Sequence, residues 1–559
     1  MVALGLIVGL TCRGHFTKPH NDFYQFRETG RSLICGELPA TFKRAPVYPI
    51  LIAAFGSAIE AALLVDVGKH PDLLAAEWIN ALLLPLNGVL VFLIGRRWFG
   101  GAARWASVWF LVLPIGLFCT AHALAEPLLV ATLLLTVLAV QRGSRWAYPL
   151  AALASMTRYD AAGLIAGLFV VDLLRSRRPF PAVARAALAS VPLLIWLILT
   201  AATWRERSYD HYLSQIRDDP RFDPVWALAT PLRCVFDYEK VRLRLPAPIA
   251  GLEPALRQAA AALPAGLALV GAFVAVRRRD QALIVVLIAF AAYTLVHALF
   301  PFREFRFGYP LAPLILLAAG FGLNEQRERL ERLRALLGRG LTLLLAVLLA
   351  LLVWVVVRET EPFRLRGDFL NPWAVTLPVL AVLGVVVVWA TPLLARGKAL
   401  SRATLLLAGV TLAMVQIRTA LPSFGWGANM ANIVESARWI GANTRPEQRV
   451  LSAEPGVLRL YAGLEPRERF LGFEQMEAKT WPEIVRECRQ RSIEYIIWHD
   501  QQFGEHGPVY AKKMGLARFD VLGDPAGVAD DVVVERQYRN YPNLWIFRVL
   551  PTRTPAPEP

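Results

Sequence analysis

The chain has 559 residues, 56% hydrophobic and 19% charged, with a mean hydropathy of +0.43 and a formal net charge of +16. A soluble domain carries about 25% charge, and the long apolar runs exclude disorder, collagen and coiled coil. The basic residues sit in short clusters between those runs, which argues against a soluble nucleic-acid binder and for a polytopic inner-membrane protein.

A helical span needs about 20 mostly apolar residues, and tilt or a polar cavity relaxes this. In chain order the candidates are 2–12, 46–66, 75–95, 105–122, 124–140, 146–157 with 159–174, 182–204, 259–276, 281–300, 307–323, 341–357, 373–394 and 403–421. The first is short and has neither a basic n-region nor a small-residue cleavage site, so it fits a clipped first helix better than a signal peptide. The second, opened by Pro46 and Pro49, is expected to be interfacial or re-entrant. The pair 146–157 and 159–174 is expected to form a hairpin of two short helices with Thr157-Arg158-Tyr159-Asp160 at its tip. Irregular backbone at membrane depth is tolerated only where protein or water covers it, so both features predict a cavity.

Sidedness follows from Lys/Arg density in the connections. Arg96-Arg97, Arg142 to Arg145, Arg175 to Arg178, Arg277-Arg278-Arg279, the run Arg327 to Arg339 and Arg396 to Arg402 make one short, strongly basic set, placed in the cytoplasm. The sparser set, 13–45, 205–258, 301–306 and 358–372, then lies outside, with everything after 421. The run Arg327 to Arg339 reads as an amphipathic helix on anionic lipid. Residues 426–550 carry charge throughout and mix helical and strand periods: a helix over Ile433 to Ala442, a strand at Arg449 to Ser452, a helix over Trp481 to Arg491, and strands at Tyr495 to Trp498, Val532 to Glu535 and Leu544 to Val549, the last two around a turn at Asn540 to Asn543. The organisation is therefore a transmembrane domain over 1–425, a small α/β domain over 426–550 and a Pro-rich disordered tail over 551–559. The fold class is an all-α polytopic membrane protein of about 11–13 spans with a C-terminal α/β extracytoplasmic domain. No internal repeat is visible. The five cysteines form no CxxC pair, and a Cys35–Cys234 bridge requires both loops outside.

Charges in or beside apolar segments are expensive and need a reason. Four polar groups converge on the outer side: His20 to Tyr24 with Lys43, Arg44 and Tyr48; Glu126 before Pro127; Arg158, Tyr159 and Asp160; and His297, Arg303, Glu304, Arg306 and Tyr309. A carboxylate at the boundary can act as general base on an acceptor hydroxyl, and Arg or Lys beside it can hold a phosphate. This combination suits transfer of a sugar from a lipid phosphate. Each piece also has a plain structural reading. Asp22 can cap a helix, Glu126-Pro127 is a good helix start, and Arg158 and Asp160 can simply pair. His297 can be a satisfied membrane histidine, and Glu304 with its arginines a rim ion-pair set. Lys43 and Arg44 can be interface anchors, and Glu60 and Asp66 can face the boundary.

The ordered set Asn-Asp-x-Tyr, Arg-x-Pro-x-Tyr-Pro, Arg-Arg-Trp-Phe-Gly, Ala-Glu-Pro-Leu, Thr-Arg-x-Asp and His-x6-Glu-x-Arg-Phe resembles the GT-C superfamily over about residues 1–325. The resemblance is to dolichyl-phosphate-mannose–protein mannosyltransferases (glycosyltransferase family 39) and lipid A aminoarabinose transferases. It implies an integral membrane glycosyltransferase, inverting, moving a sugar from a polyprenyl-phosphate donor to an acceptor hydroxyl or amine on lipid, glycan or protein at the outer face. It places the general base on Asp22 and the second acid on Glu126. Substrate-binding positions fall on Tyr24, Lys43, Arg44, Tyr48, Arg158, Asp160, His297, Arg303, Glu304, Arg306 and Tyr309. The first loop has one carboxylate, preceded by Asn21, where several members have an acidic pair; a single Asp is a poor site for a hard divalent cation, so no metal or other cofactor is assigned. The expected partners are membrane lipid, the donor and the acceptor, and no nucleic acid. The competing readings are a secondary transporter, which would favour repeats and midplane acids, and an envelope polysaccharide polymerase or ligase working through Arg205, Arg207 and Asp210.

Overall fold

The computed structural model describes residues 2–13, 22–39, 44–62, 70–176, 179–203, 222–235, 253–299, 304–326, 431–452, 454–462, 469–478, 481–499, 532–538 and 544–551. The expected spans 341–357, 373–394 and 403–421, the run Arg327 to Arg339, the turn at 540–543 and the tail beyond 551 lie outside the described residues, as do His20, Lys43, Asp66, Arg205, Arg207, Asp210 and Arg303. The chain divides into two compact units, the second of which includes everything from Gly425.

The first unit is helical. In chain order it contains α1 (Val2–Thr11), α2 (Asp22–Ile34), α3 (Val47–Ala61), α4 (Pro71–Phe99), α5 (Ala103–Leu111), α6 (Pro114–Ala121), α7 (Glu126–Gln141), α8 (Ala147–Ser155), α9 (Gly163–Ser176), α10 (Pro179–Thr203), α11 (Pro224–Val235), α12 (Glu253–Arg278), α13 (Gln281–Ala298) and α14 (Ala312–Glu325). Among the described residues four helical stretches are long and apolar enough to cross a membrane: α4, most of α10, α13, and Arg306–Glu325, in which a 3-10 turn leads into α14. The protein is a multi-pass membrane protein.

Several expectations change. The connection 13–45, expected outside, contains α2, an amphipathic helix that Asp22 opens. The stretch 105–122 is two helices, α5 and α6, bent by 50°. Pro114 is the reason: it starts α6, and the residue before it, Leu113, is held extended. The loop 205–258 holds α11 and the start of α12. The hairpin is as expected, with α8 and α9 joined by a 3-10 turn at Tyr159–Ala162. Neither Cys35 nor Cys234 is disulfide-bonded, so that pair forms no bridge.

Packing in this unit uses close helix approach where lipid offers no hydrophobic gain. Gly9 of α1 lies against α4 so tightly that a Cβ there would come within 2.3 Å of the Ala81 carbonyl oxygen. The amphipathic α2 is docked by charge. Arg31 reaches Asp72 of α4 at 2.7 Å and Glu60 of α3 at 3.1 Å, and Arg27 reaches Asp72 at 3.2 Å. The Asp72 side chain is fully buried, so these guanidiniums are its compensation.

The second unit holds α15 (Ala431–Asn443), β1 (Arg449–Ser452), α16 (Pro455–Tyr461), β2 (Phe470–Gly472), α17 (Trp481–Gln490), β3 (Ile493–His499), β4 (Val532–Tyr538) and β5 (Leu544–Val549). Its sheet runs β2-β1-β3-β5-β4, parallel over the first three strands and antiparallel over the last three. The apolar face of α17, with Ile484, Val485 and Cys488, packs on Trp498, Trp545 and Phe547 of the sheet. The expected helices and strands are present. α16 and β2 are additional; both are too short to show a period.

Candidate active site

The site is built from the first turn of α2, the segment before α3, the start of α7, the hairpin tip, the end of α13 and the 3-10 turn at Phe305–Leu311. Asp22 is the first residue of α2, where a carboxylate faces the positive end of the helix dipole. One oxygen accepts from Arg44. The other accepts from Nη2 of Arg306 at 2.7 Å. Arg44 is oriented by a second bond, Nε to Oε1 of Gln25 at 2.7 Å.

Arg306 is a hub. It is buried, donates through Nε to Glu304, and brings Nη1 within 3.5 Å of Oε1 of Glu126. Glu126 opens α7 with Pro127 in the first turn and is fully buried. Its Oε1 also accepts from Nη1 of Arg158 at 2.8 Å, while its Oε2 has no hydrogen-bond partner among the described residues. Arg158 sits on extended backbone just before the 3-10 turn and holds Asp160 through Nη2 at 2.9 Å and Nε at 3.1 Å.

His297, in the last turn of α13, places Nε2 at 3.1 Å from Oδ2 of Asp160. An ionised carboxylate only accepts, so Nε2 carries the proton. The imidazole lies between Tyr293, at 4.3 Å, and Phe307, at 4.9 Å between centroids. Phe307 also lies beneath both guanidiniums, with the Arg158 and Arg306 carbons 5.4 and 5.2 Å from its centre. The ring quadrupole favours cations on its face, and a planar guanidinium is the cation that stacks there.

An unbroken chain of ion pairs thus runs Arg44–Asp22–Arg306–Glu126–Arg158–Asp160–His297. The four polar groups that were scattered in the sequence meet in it. The aromatic candidates stand beside it in packing roles. Tyr48 is fully buried edge-on to Phe26 at 5.2 Å, Tyr309 stacks on Phe110 at 5.9 Å, and Tyr24 meets Phe23 at 6.0 Å. Glu60 belongs to the Asp72 cluster instead. Sequence reasoning missed Gln25, Phe307 as the shared ring and Tyr293. Nothing in the local sequence marks the first and last, whereas Phe307 lay inside a motif already singled out. Among the described residues no three His, Cys, Asp or Glu side chains converge as a metal site would require, and each carboxylate of the chain faces a guanidinium.

The Alg9-like mannosyltransferase family model matches residues 255–370. No curated protein matches this sequence. Among solved structures, ArnT from Cupriavidus metallidurans bound to undecaprenyl phosphate is 14% identical, covers 99% of this chain and 97% of its own, and has a TM-score of 0.56. The same protein in the apo state gives 15%, 98%, 96% and 0.54. The Archaeoglobus fulgidus oligosaccharyltransferase in the apo form gives 13%, 91%, 70% and 0.50. At such identities the likeness establishes the fold, and it does so along nearly the entire chain.

Proposed function

We propose that this chain, a membrane glycosyltransferase of the GT-C superfamily, moves a sugar from a polyprenyl-phosphate donor to an acceptor hydroxyl or amine at the outer face of the inner membrane. The observation that carries the reading is the ion-pair chain, which joins Asp22, Glu126, Arg158 and Arg306 from separate elements in one buried place. The undecaprenyl phosphate bound to the similar ArnT supports a lipid phosphate as the leaving group.

The chemistry is a single displacement with inversion. The acceptor oxygen or nitrogen attacks the anomeric carbon, the bond from that carbon to the phosphate oxygen breaks, and the polyprenyl phosphate leaves with the electron pair. The acceptor proton passes to Asp22. A carboxylate with both oxygens on guanidiniums is a weak base, so Asp22 works only once Arg44 or Arg306 turns to the phosphate. A guanidinium suits that exchange, since it matches carboxylate and phosphate geometry equally well. Glu126 and Asp160 then keep Arg158 and Arg306 in place. In this reading the C-terminal unit is extracytoplasmic.

The test is release of undecaprenyl phosphate by the purified full chain in detergent, with undecaprenyl-phosphate-mannose and undecaprenyl-phosphate-aminoarabinose as donors and a total envelope extract of lipid, glycan and protein as acceptor. Asp22→Asn should cut turnover by about 100-fold or more, the scale of removing a general base, while the protein stays monodisperse. No release of undecaprenyl phosphate from either donor by the wild-type chain would refute the reading.

A further inference from the structure

We infer that Asn80 is a positioning residue for Glu126; the inference rests on the transferase reading above. Asn80 and Asn87 lie seven residues apart on one face of α4, and both are fully buried inside the protein. The Asn80 amide donates to the Leu124 carbonyl at 2.9 Å and faces the Cys119 carbonyl at 3.4 Å. The Asn87 amide donates to the Pro127 carbonyl at 2.9 Å. The two asparagines therefore bracket Glu126, one fastening the backbone just before it and the other just after.

The turn they fasten does not hold itself cheaply. α6 ends with Leu124 N–H bonded back to the Cys119 carbonyl at 3.3 Å, the pattern that needs a left-handed residue between helix and exit. That residue is Ala123, at φ +55° and fully buried, where glycine is the usual choice. Such a backbone persists only where the surroundings over-determine it. The Asn80 amide supplies that determination from a neighbouring helix, on the same carbonyl that closes the turn. Tyr48 of α3 is buried in the neighbourhood of both Asn80 and Glu126.

The consequence is geometric. Glu126 takes Arg158 and Arg306 on one oxygen, and the other has no hydrogen-bond partner among the described residues. A shift of its backbone by an ångström would break that sharing and move both guanidiniums. An asparagine that served only as helix glue would lower stability whatever stood at position 126. An asparagine that acts through Glu126 has no further effect once the carboxylate is gone.

The experiment compares the wild-type full chain with Asn80→Ala, Glu126→Gln and the double variant, on whichever of the two undecaprenyl-phosphate donors the wild type consumes. Asn80→Ala should lower kcat about tenfold, within the loss a 1 Å misplacement causes, with KM changed less than about twofold. The double variant should match Glu126→Gln within about twofold, the non-additivity of residues that act through one another. Asn80→Ser, which keeps a donor, should recover part of the loss. Wild-type kcat in Asn80→Ala, or the same tenfold loss repeated in the Glu126→Gln background, would overturn the inference. Aggregation of both Asn80 variants would make the residue helix glue and also overturn it. A wild type that consumes neither donor defeats the parent reading first, and this one with it.

Discussion

Arg158 shows how much a single side chain holds here. Its guanidinium is shared between Glu126 and Asp160, whose side chains are 1% and 7% exposed. Taking two carboxylates out of water is costly, and only a well-placed cation offsets it. Arg158→Met keeps the length and apolar bulk of the side chain but leaves both acids without their shared partner. It should cost about 3–5 kcal/mol, seen as a large fall in the melting temperature of the detergent-solubilised protein. Arg158→Lys should fall between, because a point charge cannot span both carboxylates as the fork does. A Met variant that melts with the wild type would mean the acids are not held as charged partners. His297 sits one step further along, on the far side of Asp160 from Arg158's other partner. It is buried among Tyr293, Phe307 and Asp160, where it supports the hairpin tip.

At the scale of elements, the position of Asp22 depends on how α2 is docked. Helix α2 is amphipathic and too polar to enter the membrane, so its apolar face and its arginines must find partners on α3 and α4. Phe23 and Phe26 supply the first and Asp72 the second. Asp72 fits because Gly56 of α3 has no side chain: a Cβ there would lie 2.0 Å from Oδ1 of Asp72. Gly56→Ala should push Asp72 aside, loosen α2 and reduce donor turnover at least tenfold, since misplacement of a reacting group by an ångström is worth that much. Limited proteolysis near residues 35–39 should quicken in parallel; unchanged turnover would show that α2 is fixed by other means. The C-terminal unit offers a gain instead. Ser492, exposed between α17 and β3, has φ +54°. Ser492→Gly removes the Cβ penalty of the left-handed region and should stabilise that unit by about 1 kcal/mol, measurable as a higher unfolding midpoint.

For the molecule as a whole, what the sequence disclosed followed from where its polar residues stood. Apolar runs broken by Arg158-Tyr159-Asp160 or Glu126-Pro127 announced a hairpin tip and a helix start, because charge inside such runs is too costly to be accidental. The order of those motifs also led to the fold. Hydropathy could not reveal that 105–122 is broken at Pro114, since both halves are equally apolar, nor that the connection 13–45 contains a helix. It was also silent on Asn80, Asn87 and Phe307, which are ordinary residues in apolar surroundings until the third dimension sets them beside Glu126 and the guanidiniums. Sidedness rested on Lys/Arg density alone, and it decides which compartment supplies the acceptor. The free cysteines give the test. Cys35, at the end of α2, is exposed, and Cys12, Cys119, Cys234 and Cys488 are buried. A membrane-impermeant maleimide applied to intact spheroplasts should label the wild type once, within minutes, and Cys35→Ser not at all. Cys488 should stay unlabelled until the protein is denatured, because burial pushes its thiol up to about 12 and leaves almost no thiolate near neutrality. Labelling of Cys35 only after the membrane is permeabilised would put α2, and Asp22 with it, in the cytoplasm, where the acceptor would have to be sought instead.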